Sequence, residues 1–279
     1  MKKVNLACGG IYVKQSDWIN LDYFPIGDGV IQADLLGTLP FKQGSISLVY
    51  SSHFIEHIPR AKVGSFLSEC FRILEPGGAI RLVLPDLEQM CSQYLDKRKQ
   101  QDHKKADFCV VEMIDQCVRL ESGGELGLLY EFYSQSFDKN IDMVEYIRSF
   151  NGEVLCKIQN QGNNNFEKIV TLLRKPKVLY SKIAYYLERY YIRVIISLLP
   201  RAFRAQNVSL AAVGERHHWL WDFYQLQQVL ESVGFVEVSR CKFNTSRVTD
   251  FPFQPLDIDL EGFPRKGLES MYVEAQKPN

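Results

Sequence analysis

No two of the seven cysteines stand as a C-x-x-C pair. Scattered thiols of this kind (Cys8, Cys70, Cys91, Cys109, Cys117, Cys156 and Cys241) read as reduced and mostly buried, and they exclude the paired spacing of a structural zinc site. No run of eighteen apolar residues occurs, so no membrane-spanning helix is expected. The opening Met-Lys-Lys-Val-Asn-Leu enters a strand pattern at once, with no room for the apolar stretch of a signal peptide, which points to a cytoplasmic chain. An excess of one charge is missing too. The 33 Lys and Arg balance 33 Asp and Glu, which removes any global electrostatic argument for a nucleic-acid partner. Internal repeats are also absent.

What is present is an ordinary globular composition, 46% hydrophobic and 24% charged, in a chain long enough for one domain with a large insertion. The first ninety residues alternate short apolar runs with turns: Val4 to Cys8, Trp18 to Tyr23, Val30 to Leu35 and Ser47 to Ser51. Residues Val63 to Leu74 keep a helical period, with Phe66, Leu67, Cys70, Phe71 and Leu74 on one face. Pro76-Gly77-Gly78 is expected to stop that helix. Ala79 to Leu84 is then a continuous apolar run broken only by Arg81. Such runs, separated by crossovers, predict a parallel sheet covered on both faces. Near the end, a helix over Trp221 to Val233 precedes two strand-like stretches, Phe235 to Phe243 and Met271 to Ala275, which predict an antiparallel edge. Between them and the first half lies a mostly helical stretch, with periods over Ala106 to Leu120, Leu126 to Phe137, Ile141 to Phe150 and Val178 to Leu199. An Asn/Gln/Gly-rich loop, Gln159 to Asn165, interrupts it. The expected organisation is a core of residues 1–88 and 215–279 with a helical insertion, 89–214, capping the strand ends.

Chemistry concentrates where the strands end. Asn5-Leu6-Ala7-Cys8-Gly9-Gly10 is a strand followed by a small-residue turn, which lets a ligand approach the backbone. Asp22 follows thirteen residues after Gly9, where a carboxylate can accept both hydroxyls of a ribose. Taken alone, it is equally a solvated turn aspartate. Asp34 is placed to accept from an exocyclic amine while Leu35 packs on a ring. The three signals fall in order at successive strand ends, and their coincidence carries more than any one of them.

The segments NLACGG (5–10), WINLDYFP (18–25), ADLLGTLPFKQGSISLVYSSHFIEHIP (33–59) and FLSECFRILEPGGAIRLVLPDLE (66–88) resemble the class I methyltransferases, and closely resemble their bacterial small-molecule branch. Residues 221–277, including RKGLESMYVEAQKP, look like the closing elements of that family. The resemblance implies an α/β, Rossmann-like, mostly parallel sheet with an antiparallel edge strand, and S-adenosyl-L-methionine as cofactor. It assigns the turn Ala7, Cys8, Gly9 and Gly10 to the methionine part of the cofactor, Asp22 to the ribose and Asp34 with Leu35 to the adenine. Ser51, Ser52 and His53 take methionine-side contacts. Two departures stand out. The family carries Gly where Ala7 lies, and the crossover from Gly10 to Asp17 is too short for the helix whose start would face a ligand carboxylate.

The expected reaction is methyl transfer to an oxygen, less readily a nitrogen, of a small molecule or glycan precursor. A non-catalytic S-adenosylmethionine-binding sensor or scaffold is the alternative. Nucleic-acid methylation ranks lower, because the N/D-P-P-Y/F signature is missing. Candidate catalytic residues are His53, Asp86, His217 and His218. His53 and His57 flank Glu56 in HFIEH, but the spacing is HxxEH and not HExxH. The strand-end setting sets aside an inverted zincin, so no metal is expected and His57 is read as ordering the turn before Pro59. Asp86 either orients an acceptor or caps the following helix. His217 and His218 either face the acceptor beside a Trp219–Trp221 wall, or form a packed helix start capped by Asp222. Finally, residues 166 to 205 hold nine Lys and Arg against Glu167 and Glu188. The Tyr- and Ile-rich stretch 178–199 therefore suits a membrane surface, or a lid packed on the sheet or on a second subunit of a homodimer.

Overall fold

The computed structural model describes residues 2–157, 187, 190–212 and 214–279. Its strands are β1 (Lys2–Leu6), β2 (Trp18–Asp22), β3 (Val30–Gln32), β4 (Ile46–Ser52), β5 (Leu74–Pro85), β6 (Val236–Cys241) and β7 (Ser270–Gln276). They form one sheet in the order β3-β2-β1-β4-β5-β7-β6. The first five run parallel, and β7 runs against both β5 and β6. The antiparallel pairing thus falls at one end of the sheet, with β7 inserted beside β5 and β6 outermost. The apolar runs predicted the parallel strands, and the arrangement is the Rossmann-like one that the resemblance implied.

Alternation along the central strands divides the core in two. Val49, Ile80, Leu82 and Leu84 pack on one face against α1 (Arg60–Ile73) and the helix Phe223–Val233. Leu48, Tyr50 and Val83 point the other way, onto Trp18, Phe251, Leu256 and Tyr272. The helix Phe223–Val233 is capped at its start by Asp222, whose carboxylate accepts from Gln225 N–H at 2.7 Å. α1 ends at Ile73, before the Pro76-Gly77-Gly78 turn expected to stop it. That turn belongs instead to the start of β5, where Gly77 takes φ +74° and the pairing with β4 shifts register.

A helical layer follows β5: α2 (Leu87–Lys99), α3 (His103–Val118), α4 (Gly124–Gln135) and α5 (Ile141–Asn151). These helices share a core of their own, built on Met90, Phe108, Cys109, Leu126, Met143, Ile147 and Phe150. α2 left little trace in the sequence because Met90 is its one buried residue. The loop Gln159 to Asn165 lies outside the described residues, as do 178–186, 188 and 189 of the stretch 178–199. Residues 190–197 are helical and expose Tyr190, Tyr191, Val194 and Ile195. Among the described residues, no helix is long and apolar enough to cross a membrane.

Arg81, the one charge in the apolar run of β5, is fully buried. Its guanidinium donates to Asp257 Oδ2 at 2.8 Å, Glu274 Oε1 at 2.6 Å and the carbonyls of Thr245 and Lys242. Phe251 lies 4.7 Å from it. The cation therefore ties β5 and β7 to the segment after β6. Arg81→Met should cost about 3–5 kcal/mol, because two buried carboxylates lose their counter-charge. Urea unfolding measures this, and a loss below about 1 kcal/mol would show that the carboxylates are relieved some other way.

Candidate active site

β1 and β2 lie side by side, so the turn after β1 meets the end of β2. Ala7 and Gly9 both take left-handed backbone, at φ +55° and +54°. Ala7 holds this conformation despite its Cβ, at a cost of about 1–2 kcal/mol that glycine would avoid. The turn is pinned across the strand ends: Gly9 N–H donates to Asp22 Oδ2 at 2.8 Å, while Phe24 N–H donates to Asp22 Oδ1 at 2.8 Å. A Cβ built on Gly9 or Gly10 would meet nothing within 4 Å, so open space lies over the turn. Residues 11–16 form no helix, in keeping with the short crossover. At the end of β3, Asp34 Oδ1 accepts from Leu36 N–H at 3.0 Å.

These strand ends enclose a cavity of about 400 Å³ lined by Ala7, Gly9, Asp22, Asp34, Leu35 and His53. Tyr23, Phe24, Leu36, Phe54, His57 and Gly214 complete the lining. Tyr23 and Phe24 had a sequence signal, since they follow Asp22 directly. Gly214 had none, because it arrives from the far end of the helical region. The other expected cofactor residues stand back from the cavity. Cys8 is buried, its thiol pushed up to about 12 by burial and by Asp22. Gly10 is absent from the lining, Ser51 Oγ donates to Leu6 O at 3.2 Å, and Ser52 Oγ accepts from Arg265 at 3.5 Å.

His53 is the hinge of the site. It follows β4 with φ +51°, its N–H donating to Val83 O at 2.7 Å. Its Nε2 lies 2.9 Å from Ser270 Oγ, and that hydroxyl donates to the carbonyl of Lys266 at 2.9 Å. The Ser270 oxygen thus accepts, and His53 Nε2 carries the proton. Nδ1 then faces Glu56 Oε1 at 3.3 Å. Burial, followed by the charges of Lys266 and His217, holds the imidazole well below its ordinary range. Burial pushes Glu56 the other way, up to about 8. At neutral pH this pair is uncharged.

His53 also lines a second cavity of about 290 Å³, under the helical layer. Its polar walls are Glu112 and Arg119 from the end of α3, Tyr130 from α4, Asn151 from α5, and Lys266 and Glu269 from the approach to β7. Asn151 Nδ2 donates to Glu112 Oε2 at 3.1 Å and to Tyr130 Oη at 2.6 Å. Burial pushes Glu112 up to about 7, and burial together with Glu112 holds Glu269 well above the carboxylate range. Glu269 Oε2 is buried without a hydrogen-bond partner.

The remaining expected catalytic residues do not meet here. Asp86 caps α2 through Glu88 N–H at 3.1 Å, pairs with Arg240 at 2.9 Å, and lines neither cavity. His218 is exposed, and its N–H donates to Glu56 O at 2.6 Å. His217 is buried against His57, with ring centroids 4.8 Å apart. His57 Nδ1 lies 2.9 Å from Arg216 O, so it fastens the 3-10 turn Ile55–His57, the turn before Pro59, to the returning chain. The expected tryptophan wall is not there either. Trp221 is core, and Trp219 lies outside under Arg60, 4.5 Å from its ring; aromatic cover comes from Tyr23, Phe24 and Phe54.

Residues 17–82, from β2 through α1 and into β5, match the family described as methyltransferase domain. The match spans less than half of the chain, and it marks this segment as similar to a methyltransferase domain. The chain is similar to an S-adenosylmethionine-dependent methyltransferase from Archaeoglobus fulgidus, at 12% identity and TM-score 0.38 over 99% of this chain and 86% of that one. It is similar also to one from Mesorhizobium loti, at 21% identity and TM-score 0.25 over 32% of this chain and 48% of that one. No curated protein matches the sequence. The methyltransferase match begins beyond the Gly9 turn, so that part of the cofactor cavity rests on geometry: a backbone open above Gly9, flanked by the Asp22 and Asp34 carboxylates, in a volume of ligand size. These residues fit the cofactor.

Glu56 links folding to pH. Its neutral form is favoured in the fold, so the stability it contributes is complete below its ordinary value of 4.5 and is lost as pH rises through about 8. Glu56→Gln stays neutral throughout. In chelator-treated buffer, its stability relative to the unsubstituted protein, followed by thermal melting, should climb between pH 5 and pH 8.5, by at most about 1.4 kcal/mol per pH unit. A constant difference across that range would mean that Glu56 is already ionised.

Proposed function

We propose that this protein is a methyltransferase that alkylates an oxygen, less readily a nitrogen, of a small hydroxylated molecule or glycan precursor. The observation that carries the reading is the shared wall at His53, which lines both the cofactor cavity and the polar cavity under α3, α4 and α5. On this reading, Asp22 receives the ribose hydroxyls, Asp34 the adenine amine with Leu35 on its ring, and the Ala7–Gly9 turn the methionine end. The helical insertion, 89–214, forms the acceptor side as a lid. Bound S-adenosylmethionine supplies an activated methyl group on a sulfonium. The protein's own part is placement: it holds the acceptor atom beside the cofactor cavity and keeps water out.

The chemistry of the second cavity favours a hydroxyl-rich acceptor. Glu269 presents an orphan carboxyl, and Glu112, Asn151 and Tyr130 form a fixed row of hydrogen-bonding atoms. A volume of about 290 Å³ suits one small polar group. His53 acts as the partition. Both ring nitrogens are engaged, Nε2 with Ser270 and Nδ1 toward Glu56, so the imidazole sets the wall and does not take the acceptor's proton.

Two variants separate the two cavities. Asp22→Ala should weaken cofactor binding by about 1.5–3 kcal/mol for each charge-assisted hydrogen bond lost, read by calorimetry, and unchanged affinity would remove Asp22 from the site. Glu269→Leu replaces an unpartnered buried acid by an apolar side chain, so the free protein should be as stable or more so. The same variant should raise the acceptor KM about tenfold and leave cofactor affinity alone. The assay is S-adenosylhomocysteine release across a panel of hydroxyl and amine acceptors. Tight cofactor binding without turnover on any of them would overturn the proposal.

A further inference from the structure

Three side chains beside the cofactor cavity turn donor atoms toward one another. Glu56, His57 and His217 each offer one ligand atom, and these atoms lie within 4.8 Å of one another. Glu56 is 1% exposed, with His53 Nδ1 at 3.3 Å from Oε1 and no hydrogen-bond partner for Oε2 among the described residues; His217 is 5% exposed and its Nδ1 has none among them either. Buried polar atoms are rarely left so, and two at one point call for an occupant. His57 is already prepared. Arg216 O can only accept, so His57 Nδ1 carries the proton and Nε2 presents a free lone pair. A ring nitrogen donating to a backbone carbonyl while the other faces an ion is the usual setting of a metal-binding histidine.

We propose that Glu56, His57 and His217 form a binding site for a divalent transition-metal cation, with Zn²⁺ the best match to two imidazoles and one carboxylate. The sequence pointed away from a metal because HFIEH lacks the HExxH spacing and its strand-end setting set aside an inverted zincin. The third ligand, His217, comes from the segment where the helical region rejoins the core. Two backbone bonds hold that segment in place: His217 N–H to Gln116 O at 2.9 Å, and His218 N–H to Glu56 O at 2.6 Å. Charges around the cluster oppose each other. Lys266 acts on Glu56 and on both histidines, Arg119 acts on His217, and Glu56 acts on the buried acid Glu269. A site without a strong negative field selects an ion held by nitrogen ligation over Mg²⁺ or Ca²⁺, which need several charged oxygens. Because His57 also lines the cofactor cavity, the ion borders the place where the reactants meet.

The test uses the whole chain, stripped by chelator and titrated with Co²⁺. One equivalent should bind with visible d–d absorption and no thiolate charge-transfer band, which distinguishes the site from the free cysteines. Glu56→Gln and His217→Ala should each lower the affinity on the order of 100-fold or more, since losing a mere supporting partner already costs about 10–100-fold. Far-UV circular dichroism and thermal melting check that both variants fold, and Glu56→Gln, which removes a buried acid, is the safer of the two. No stoichiometric uptake, a thiolate band, or affinity unchanged in either folded variant would overturn the site and leave the cavity to water. The methyltransferase reading does not depend on this result.

Discussion

The bond from Gly9 N–H to Asp22 is the constraint from which the site follows. It requires β1 and β2 to be parallel neighbours in register, Leu6 beside Leu21, so that one strand's turn meets the other's terminal carboxylate. It also requires left-handed backbone at Ala7 and Gly9, which opens the space above the turn. A slip of one residue would turn Asp22 to the opposite face and close the cavity. Strain at Ala7 is tolerated because two buried strands and this bond over-determine the conformation.

A second constraint binds the helical layer to the sheet. The loop after β4 carries His53, Glu56 and His57 into the seam between them, and almost every polar atom there is fastened to something remote in sequence. His53 reaches Ser270, His57 reaches Arg216, and Glu56 O takes the N–H of His218. Against this thorough pairing, the orphan atoms of Glu56, His217 and Glu269 stand out. A fold that leaves such groups unpaired gives up stability at the place where ligands bind, the usual exchange between stability and activity.

Legibility in the sequence followed periodicity and locality. Apolar runs with period two, helices with period near 3.6, and Asp22 and Asp34 at strand ends were all readable because each is a local pattern with one physical solution. α2 was faint, since a helix with a single buried residue has almost no period. Asp86 illustrates an ambiguity that only packing resolves. Strand-end position suited both an acceptor contact and a helix cap, and Arg240, arriving from β6, claimed the carboxylate together with Glu88 N–H. Arg81 was visible as an interruption, but its partners Asp257 and Glu274 lie far along the chain.

By itself, then, the sequence determined the parallel sheet and the order of Asp22 and Asp34 at its strand ends, because these depend on neighbours within about twenty residues. Tertiary structure alone decided what closes the site. It brought Glu269 and Lys266 under α3, α4 and α5, set His53 between two cavities, and placed His217 against His57. The reason is physical: a local pattern fixes which way a side chain points, while its partner is chosen by packing between elements far apart in the chain.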